Sequence, residues 1–281
     1  MKIGIVSRAF DRFGETRYPK MKELGFATVD FSMANTETPL YLCSEDEFCR
    51  QLSLEKAAAQ ELGITFSQVH GPWRVPIKDA TPEDRAERMD KMKKAVRAAS
   101  LLGAKAMVIH PIMPFGIFDV EKQKTEETWE LNLAFMKELA AYGAEHGVIV
   151  CLENMPFPTF SISKPDKICE MIDAVGSEHF KMCLDTGHVN VFPELSVADE
   201  IKRCQEVIRA FHIHDNDSKA DSHALPFFGT IDWETLGQTL ANLNLPCPFS
   251  YETAPPAKLP FPVYETYLKS MVELANGILG Q

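Results

Sequence analysis

Eight short apolar runs alternate with longer amphipathic segments along the chain, and this alternation constrains the fold more than any other feature. Each run is four to six residues long and rich in Val, Ile, Phe or Leu. Near-continuous apolar runs of this length are typical of parallel strands that are covered by helices. The predicted strands are residues 2–7, 28–31, 65–70, 106–110, 148–153, 181–185, 210–214 and 249–252.

Helical patterns fill the intervals between these runs. The clearest begins at Thr81-Pro82-Glu83-Asp84, which is typical of an N-cap followed by a proline and two acidic residues in the first turn. Gly103 is suited to the position just after its last turn. The predicted helices are residues 15–24, 45–62, 81–103, 125–146, 163–175, 197–208, 232–243 and 262–279.

Eight strands and eight helices in 281 residues predict a (β/α)8 TIM barrel, an α/β fold, in a single domain spanning residues 1–281. No linker or low-complexity tract divides the chain. A doubly wound open sheet is the alternative, but no glycine-rich phosphate loop follows the first strand. The long segments 111–118, 156–164 and 216–230 follow strands, as active-site loops of a barrel do.

Charge and composition exclude several classes of function. The net charge of −11 argues against a non-specific nucleic-acid binder, which carries a basic surface. No run of about 18 apolar residues is present, so we expect no membrane helix and no membrane partner. The seven cysteines are scattered without a CxxC motif, and we expect reduced thiols and a cytoplasmic location. The oligomeric state stays open, with a homo-oligomer among the options.

Side chains of the metal-binding type stand at the ends of six successive predicted strands. Parallel barrel strands present their carboxyl ends on one rim, so these side chains can converge there. Several carboxylates in one place need a cation to stay ionised. Histidine and carboxylate ligands suit Zn²⁺, Mn²⁺, Co²⁺ or Fe²⁺, with Mg²⁺ as a further candidate. The residues are His70, His110, Glu153, Asp185, His212 with Asp215, and Glu252.

One histidine at a strand end is usually a packed or rim residue, whereas six successive cases favour a site. The loops add further candidates: His188 one turn after Asp185, and the pair Asp221 and His223. Arg74 and Lys219 follow ligand-bearing strands and are candidates to bind a phosphate or carboxylate of a substrate. Aromatic residues on the loops are candidates to stack on a sugar, with plain loop packing as the alternative; they are Trp73, Phe115, Phe118, Phe157, Phe160, Phe227 and Phe228.

These residues together resemble the xylose isomerase-like TIM-barrel superfamily, which includes sugar-phosphate isomerases and epimerases, ketose 3-epimerases and endonuclease IV. The resemblance spans almost the whole chain, and it is the ordered series of motifs that is specific. The motifs are Leu152-Glu153-Asn154, Leu184-Asp185-Thr186-Gly187-His188, His212-Ile213-His214-Asp215-Asn216-Asp217 with Asp221-Ser222-His223, and Tyr251-Glu252-Thr253.

For the ketose-epimerase branch, the resemblance implies one divalent metal held by four residues, and a substrate-contacting histidine at His188. The two glutamates among the four would also act as an acid/base pair on opposite faces of the sugar. The four residues are Glu153, Asp185, His212 and Glu252.

For the endonuclease IV branch, the resemblance implies three zinc ions, held by the same four residues together with five others. Those five are His70, His110, His188, Asp221 and His223. The inventory of ligands therefore does not separate the branches. Two features favour the sugar enzymes: endonuclease IV has Asp-Thr-Cys-His where this chain has Asp185-Thr186-Gly187-His188, and its DNA-contacting loops have no match here. The segment from Phe228 to Trp233 resembles the Gly-x-Gly-x-Ile-Asp-Trp ending of sugar-enzyme loops but departs from it at Phe228.

The leading hypothesis is a metal-dependent isomerase or epimerase of a sugar or sugar phosphate that moves a proton through an enediolate. Glu153 would take the proton α to the carbonyl and Glu252 would return one, or the reverse. The alternatives are a zinc phosphodiesterase acting on abasic DNA and a barrel that binds a sugar or a partner protein without catalysis.

Overall fold

The computed structural model describes all of residues 1–281 and places the eight strands in one parallel sheet. The order of the strands is β7-β6-β5-β4-β3-β2-β1-β8, so each strand pairs with the next along the chain and β8 returns to β1. The strands are β1 Ile3–Val6, β2 Thr28–Ser32, β3 Thr65–His70, β4 Ala106–Ile109, β5 Ile149–Glu153, β6 Phe180–Asp185, β7 Ile208–His212 and β8 Phe249–Tyr251. This arrangement confirms the predicted (β/α)8 barrel.

The junction between β7 and β8 closes the barrel with little pairing. A single parallel bridge links Ile213 to Tyr251. Around it, the Ile213 amide donates to the Ser250 carbonyl at 2.9 Å, and the Glu252 amide donates to the Ile213 carbonyl at 3.2 Å. By contrast, β8 pairs with β1 over three registered residue pairs. The cylinder is therefore nearly closed, with its weakest seam beside Glu252.

Ten α-helices surround the strands, two more than the sequence predicts. They are α1 Arg17–Leu24, α2 Pro39–Leu42, α3 Glu45–Gln60, α4 Pro82–Leu102, α5 Lys122–Glu145, α6 Pro165–Val175, α7 Thr186–Asn190, α8 Val197–Cys204, α9 Trp233–Ala241 and α10 Phe261–Leu279. The short helices α2 and α7 escape prediction because one turn is too brief to show a helical period. None of the ten helices has the length and apolarity that crossing a bilayer requires.

The predicted cap of α4 is confirmed. The Thr81 hydroxyl accepts from the Asp84 amide, and the Asp84 carboxylate accepts from the Thr81 amide. Gly103 ends the helix in the left-handed conformation at φ 82°, which glycine adopts without a steric penalty.

The apolar side chains form two clusters, one outside the sheet and one inside the barrel. A large core of 66 buried residues lies mainly between the helices and the outer face of the sheet. A small second cluster lies on alternate strand positions and consists of Ala106, Val108, Cys151, Cys183 and Ala210. Because side chains alternate along a strand, the next positions on the same face are His110, Glu153, Asp185 and His212. A floor of small apolar side chains thus underlies a polar upper layer.

Candidate active site

The polar upper layer lies at the carboxyl ends of the strands, under a cavity of about 370 Å³. Glu153, Asp185 and His212 are fully buried, and the side chain of Glu252 is 14% exposed. Ligand atoms of these four residues all lie within 4.8 Å of one another. The structure therefore brings together the four residues that the sequence analysis proposes as metal ligands.

His212 stands at the centre of this group. Its Nδ1 is 2.8 Å from Glu153 Oε1 and 3.4 Å from Glu252 Oε2. Its Nε2 faces Asp30 Oδ2 at 3.2 Å. Asp30 is fully buried on β2 and also accepts from the Gln68 side chain at 3.1 Å. The ring of His212 is thereby held between two carboxylates on one side and a third on the other.

His70 and His110 flank Glu153 from β3 and from the end of β4. His110 Nε2 is 2.9 Å from Glu153 Oε2, and His70 Nε2 is 3.9 Å from the same oxygen. His70 Nε2 also lies 3.8 Å from Glu252 Oε1. The ring of Trp73 packs edge-on against His110, with ring centroids 4.5 Å apart. Both histidines therefore line the cavity together with Glu252 and contact the fully buried Glu153.

A second group of ligand-type residues lies at the outer edge. His188 Nε2 and His223 Nε2 are each 3.2 Å from Asp221 Oδ2. His214 Nε2 is 2.9 Å from Asp185 Oδ2 and 3.6 Å from Asp221 Oδ1. Asp185 thus connects the central group to the outer one, and two or more ions could share it.

Local hydrogen bonds explain the motifs around these residues. Asn154 joins β5 to β6, since its side chain accepts from the Asp185 amide at 2.8 Å and donates to the Asp185 carbonyl at 3.1 Å. The Asp185 carboxylate caps the short helix α7 by accepting from the His188 amide at 2.6 Å. A Cβ atom on Gly187 would lie only 2.0 Å from His214 Cε1. The Asp-Thr-Gly-His segment therefore needs glycine so that the His214 ring can sit on the backbone.

The electrostatics of the site separate the two glutamates. Burial opposes ionisation of Glu153, but His212 and His110 outweigh it and hold the pKa of that carboxyl well below its ordinary value. Burial, helped by the charge of Glu153 and opposed by His212, raises the pKa of Glu252. Burial also opposes protonation of His188, yet Asp185 and Asp221 raise the pKa of its imidazole to about 10.

The donor set fits a divalent cation. Seven of the eleven buried side-chain polar atoms that lack a hydrogen-bond partner belong to this site. Such atoms are rare in proteins unless an ion or water satisfies them. Oxygen and imidazole donors without thiolate are suited to Zn²⁺, Mn²⁺, Co²⁺ or Mg²⁺. The unpartnered atoms are Asp30 Oδ1, His110 Nδ1, Glu153 Oε2, His214 Nδ1, Asp221 Oδ1, His223 Nδ1 and Glu252 Oε2. Glu153 Oε2 is among them because its 2.9 Å contact with His110 Nε2 is not aligned as a hydrogen bond.

Two members of the site are absent from the sequence prediction. His214 follows His212 by two residues, so strand alternation places both on the inner face, and that spacing is the signal that could have found it. The seventh strand is Ile208–His212, which is two residues earlier than the predicted strand 210–214. Asp30 lies inside β2 rather than at its end, and the sequence carries no signal for it.

The predicted anion-binding residues do not reach the cavity. Arg74 is held by its own loop, where it contacts Asp79 at 3.4 Å and Glu87 at 3.1 Å. Lys219 is exposed and does not line the cavity. Of the predicted aromatic residues, Trp73 and Phe157 line the cavity, whereas Phe160 is buried and the others lie elsewhere on the loops.

Asp215 is a scaffold of the seventh loop rather than a member of the site. Its buried carboxylate accepts from the Gly229 amide at 3.0 Å, from the Ile231 amide at 3.3 Å and from Trp233 Nε1 at 2.8 Å. A Cβ on Gly229 would lie 2.1 Å from the Asn216 carbonyl oxygen. These contacts explain the Gly-x-Ile-Asp-Trp sequence, because the loop must wrap closely around one carboxylate.

This combination of barrel and site agrees with a match to a known family. Residues 19–266 match the family model of the xylose isomerase-like TIM barrel. The chain belongs to that family. It is 25% identical over 236 residues to the D-psicose 3-epimerase of Enterocloster bolteae, covering 80% of this chain and 71% of that protein. It is 28% identical over 257 residues to a probable endonuclease 4 of Staphylococcus epidermidis, covering 82% and 84%.

The fold is also similar to the solved structure of D-psicose 3-epimerase from Clostridium cellulolyticum with D-tagatose. The TM-score is 0.77 at 18% identity, and 99% of each chain is covered. At this identity the likeness shows a shared fold over the whole chain.

Proposed function

We propose that the protein is a divalent-metal-dependent isomerase or epimerase that moves a proton on a carbon next to the carbonyl of a sugar. The observation that carries the proposal is the meeting of Glu153 and Glu252 with Asp185 and His212, their ligand atoms within 4.8 Å of one another, beside a cavity of about 370 Å³. Glu252 lines this cavity, and the fully buried Glu153 contacts His110, which also lines it. A pair of carboxylates placed so closely suits the delivery and removal of a proton.

The two glutamates have different roles in this proposal. Glu153 is ionised in the free protein, since its pKa is held low, and it accepts the proton from the sugar carbon. Glu252, whose Oε2 lies 3.4 Å from His212 Nδ1, serves to return a proton to that carbon. A bound divalent ion would favour the ionised form of both carboxylates before the sugar enters. His188, fixed through Nδ1 to the Asn154 carbonyl at 2.7 Å, orients a sugar hydroxyl.

Glu153, Asp185, His212 and Glu252 would hold the metal ion. His214 is a further ligand candidate because its Nε2 meets Asp185 at 2.9 Å. When bound, the ion supplies positive charge that stabilises the negative charge developing on the sugar oxygens. Trp73 and Phe157 exclude water from one wall of the cavity.

Hydrogen exchange tests the proposal directly. In D₂O with Mn²⁺ or Co²⁺, the wild type is expected to incorporate deuterium into a ketose from a panel of common ketoses. Glu153→Gln and Glu252→Gln should lose this exchange by about 10²-fold or more while metal analysis shows the ion retained. Glu61→Gln, at an exposed position after α3, is the matched control and should exchange like the wild type. Full exchange in either site variant would overturn the assignment.

The second candidate is a zinc phosphodiesterase, and the outer group of His188, His214, Asp221 and His223 is the observation that favours it. Together with the central group it offers ligands for more than one ion. Gly187 argues against it, because the cysteine of the endonuclease IV motif would place its Cβ 2.0 Å from His214 Cε1. Cleavage of an abasic-site duplex by zinc-loaded protein, abolished by EDTA, would establish this candidate in place of the first.

A further inference from the structure

The cavity above the candidate site has one permanently charged cation on its wall. That residue is Arg8, and no other arginine or lysine lines the cavity. We propose that Arg8 binds a phosphate or carboxylate group of the substrate, so that this barrel acts on an anionic sugar. The inference rests on the proposed function and assigns the substrate class of the same site.

Arg8 is positioned for this role and leaves most of its donors free. It follows β1 by two residues, and its Nη2 donates to the Glu252 carbonyl at 3.1 Å. This bond places the guanidinium directly beside the residue proposed to return the proton. A guanidinium has five N–H donors, and this is the one hydrogen bond that Arg8 donates. Arg8 has no carboxylate within the 4.0 Å of an ion pair, but Asp11 lies on the wall of the adjoining cavity and its charge interacts with that of Arg8.

Arg8 lines three adjoining cavities, and two of these matter for the substrate. The cavity over the site and a neighbouring one of about 510 Å³ share Arg8, Ser32 and Ala34 as lining residues. The first is lined by His70, His110 and Glu252. The second is lined by Ser7 and Ser32, and also by Asp11 and by the Arg17–Glu55 ion pair. A sugar whose reacting carbons lie at the site therefore has space for a group that projects past Arg8.

The charges of the residues that line the cavity, rather than packing, are the reason to assign Arg8 a role in binding. Asp221 and Glu252 line the same cavity, so an anionic group of a substrate meets repulsion there. The proposed metal ion would offset the charge of Glu252, and Arg8 offsets the charge at the other end of the substrate. The planar fork of arginine matches phosphate and carboxylate oxygens in pairs. A neutral sugar needs no such cation. Binding energy at a remote anionic group can also hold the reacting carbon in place.

Calorimetry on the Mn²⁺-loaded protein tests the proposal with defined probes. The probes are D-fructose and D-tagatose, each free and as the 6-phosphate, together with the carboxylate D-fructuronate. We expect the wild type to bind at least one anionic probe about tenfold or more tightly than its neutral counterpart. Arg8→Gln should lose that preference while binding of the neutral sugars changes less than about twofold, and Arg8→Lys should retain part of it. Comparison of the 6-phosphates with the fructuronate identifies which anion is preferred.

Lys269→Gln is the matched control, because Lys269 is exposed on α10 and is not among the residues that line the cavity. It should keep the full preference. The proposal is overturned if no anionic probe binds more tightly than its neutral form, if Arg8→Gln keeps the preference, or if it weakens neutral and anionic probes equally. If the proposal for Arg8 fails, the proposed function would still hold if the wild type exchanges deuterium into a neutral ketose and Glu252→Gln abolishes that exchange. Tight anionic binding without exchange would uphold the role of Arg8 and refute the proposed reaction.

Discussion

Replacement of Gly187 by alanine tests the geometry of the outer group. The added Cβ would lie 2.0 Å from His214 Cε1 and 2.3 Å from its Nδ1, whereas non-bonded carbons settle near 3.5–4.0 Å. The ring must therefore move by about 1.5 Å. It has no room to do so in place, because Nε2 is 2.9 Å from Asp185 Oδ2 and the ring stacks on His223 at 4.1 Å.

The expected cost follows from these contacts. Overpacking of a buried position costs about 1–3 kcal/mol, and loss of a hydrogen bond to a charged group about 1.5–3 kcal/mol. We expect Gly187→Ala to lower the free energy of unfolding by at least about 2.5 kcal/mol. Urea denaturation, followed by circular dichroism and extrapolated linearly to water, measures it.

Two comparisons make the result specific. Gly277 lies on the exposed side of α10, where an added methyl group would meet no atom within 4 Å, so Gly277→Ala should be neutral or stabilising by up to about 1 kcal/mol. In a His214→Ala background the clash is gone, and most of the cost of Gly187→Ala should vanish. A loss below about 0.5 kcal/mol in the wild-type background would refute the reasoning.

Three further predictions concern the loop scaffold and the metal. Asp215→Ala leaves the buried donors of Gly229 and Trp233 without an acceptor, so it should lower the free energy of unfolding by about 3 kcal/mol or more. Urea unfolding measures this change, and a midpoint equal to that of the wild type would contradict the scaffold role. Mn²⁺ or Co²⁺ at about 100 times its Kd should raise the free energy of unfolding by about 2.7 kcal/mol, and EDTA should reverse this change. Asp185→Asn should reduce the effect of the metal. An unchanged melting curve with metal would count against the site. Although burial opposes protonation, neighbouring acidic groups raise the pKa of His212 well above its ordinary value, so the metal-free imidazole holds a proton near neutral pH. Metal binding should therefore release protons and weaken as pH falls, which calorimetry in two buffers of different ionisation enthalpy detects.

Much of the architecture follows from patterns that repeat along the chain. The strands were predictable because each is a short apolar run, and helix α4 because Thr81, Asp84 and Gly103 mark its ends. The meeting of Glu153, Asp185 and Glu252 follows from strand direction alone, since parallel strands end at one rim. What stays a prediction is the metal itself and the role of each ligand.

The missing parts depend on contacts between distant segments. Asp30 acts through His212, which lies 182 residues away in sequence, and Arg8 reaches Glu252 across 244 residues. No local pattern marks either residue. Arg74 shows the opposite case, since its sequence neighbours Asp79 and Glu87 capture the side chain once the loop folds.

The weak pairing between β7 and β8 should decide how this protein loses activity on heating. Glu153 and Glu252 stand on opposite sides of that seam, where the backbone pairing is a single bridge made of two hydrogen bonds. A local rupture there would part the two carboxylates while the other strand pairs stay intact. Turnover should therefore vanish several degrees before the helical signal does, and regain its value on cooling.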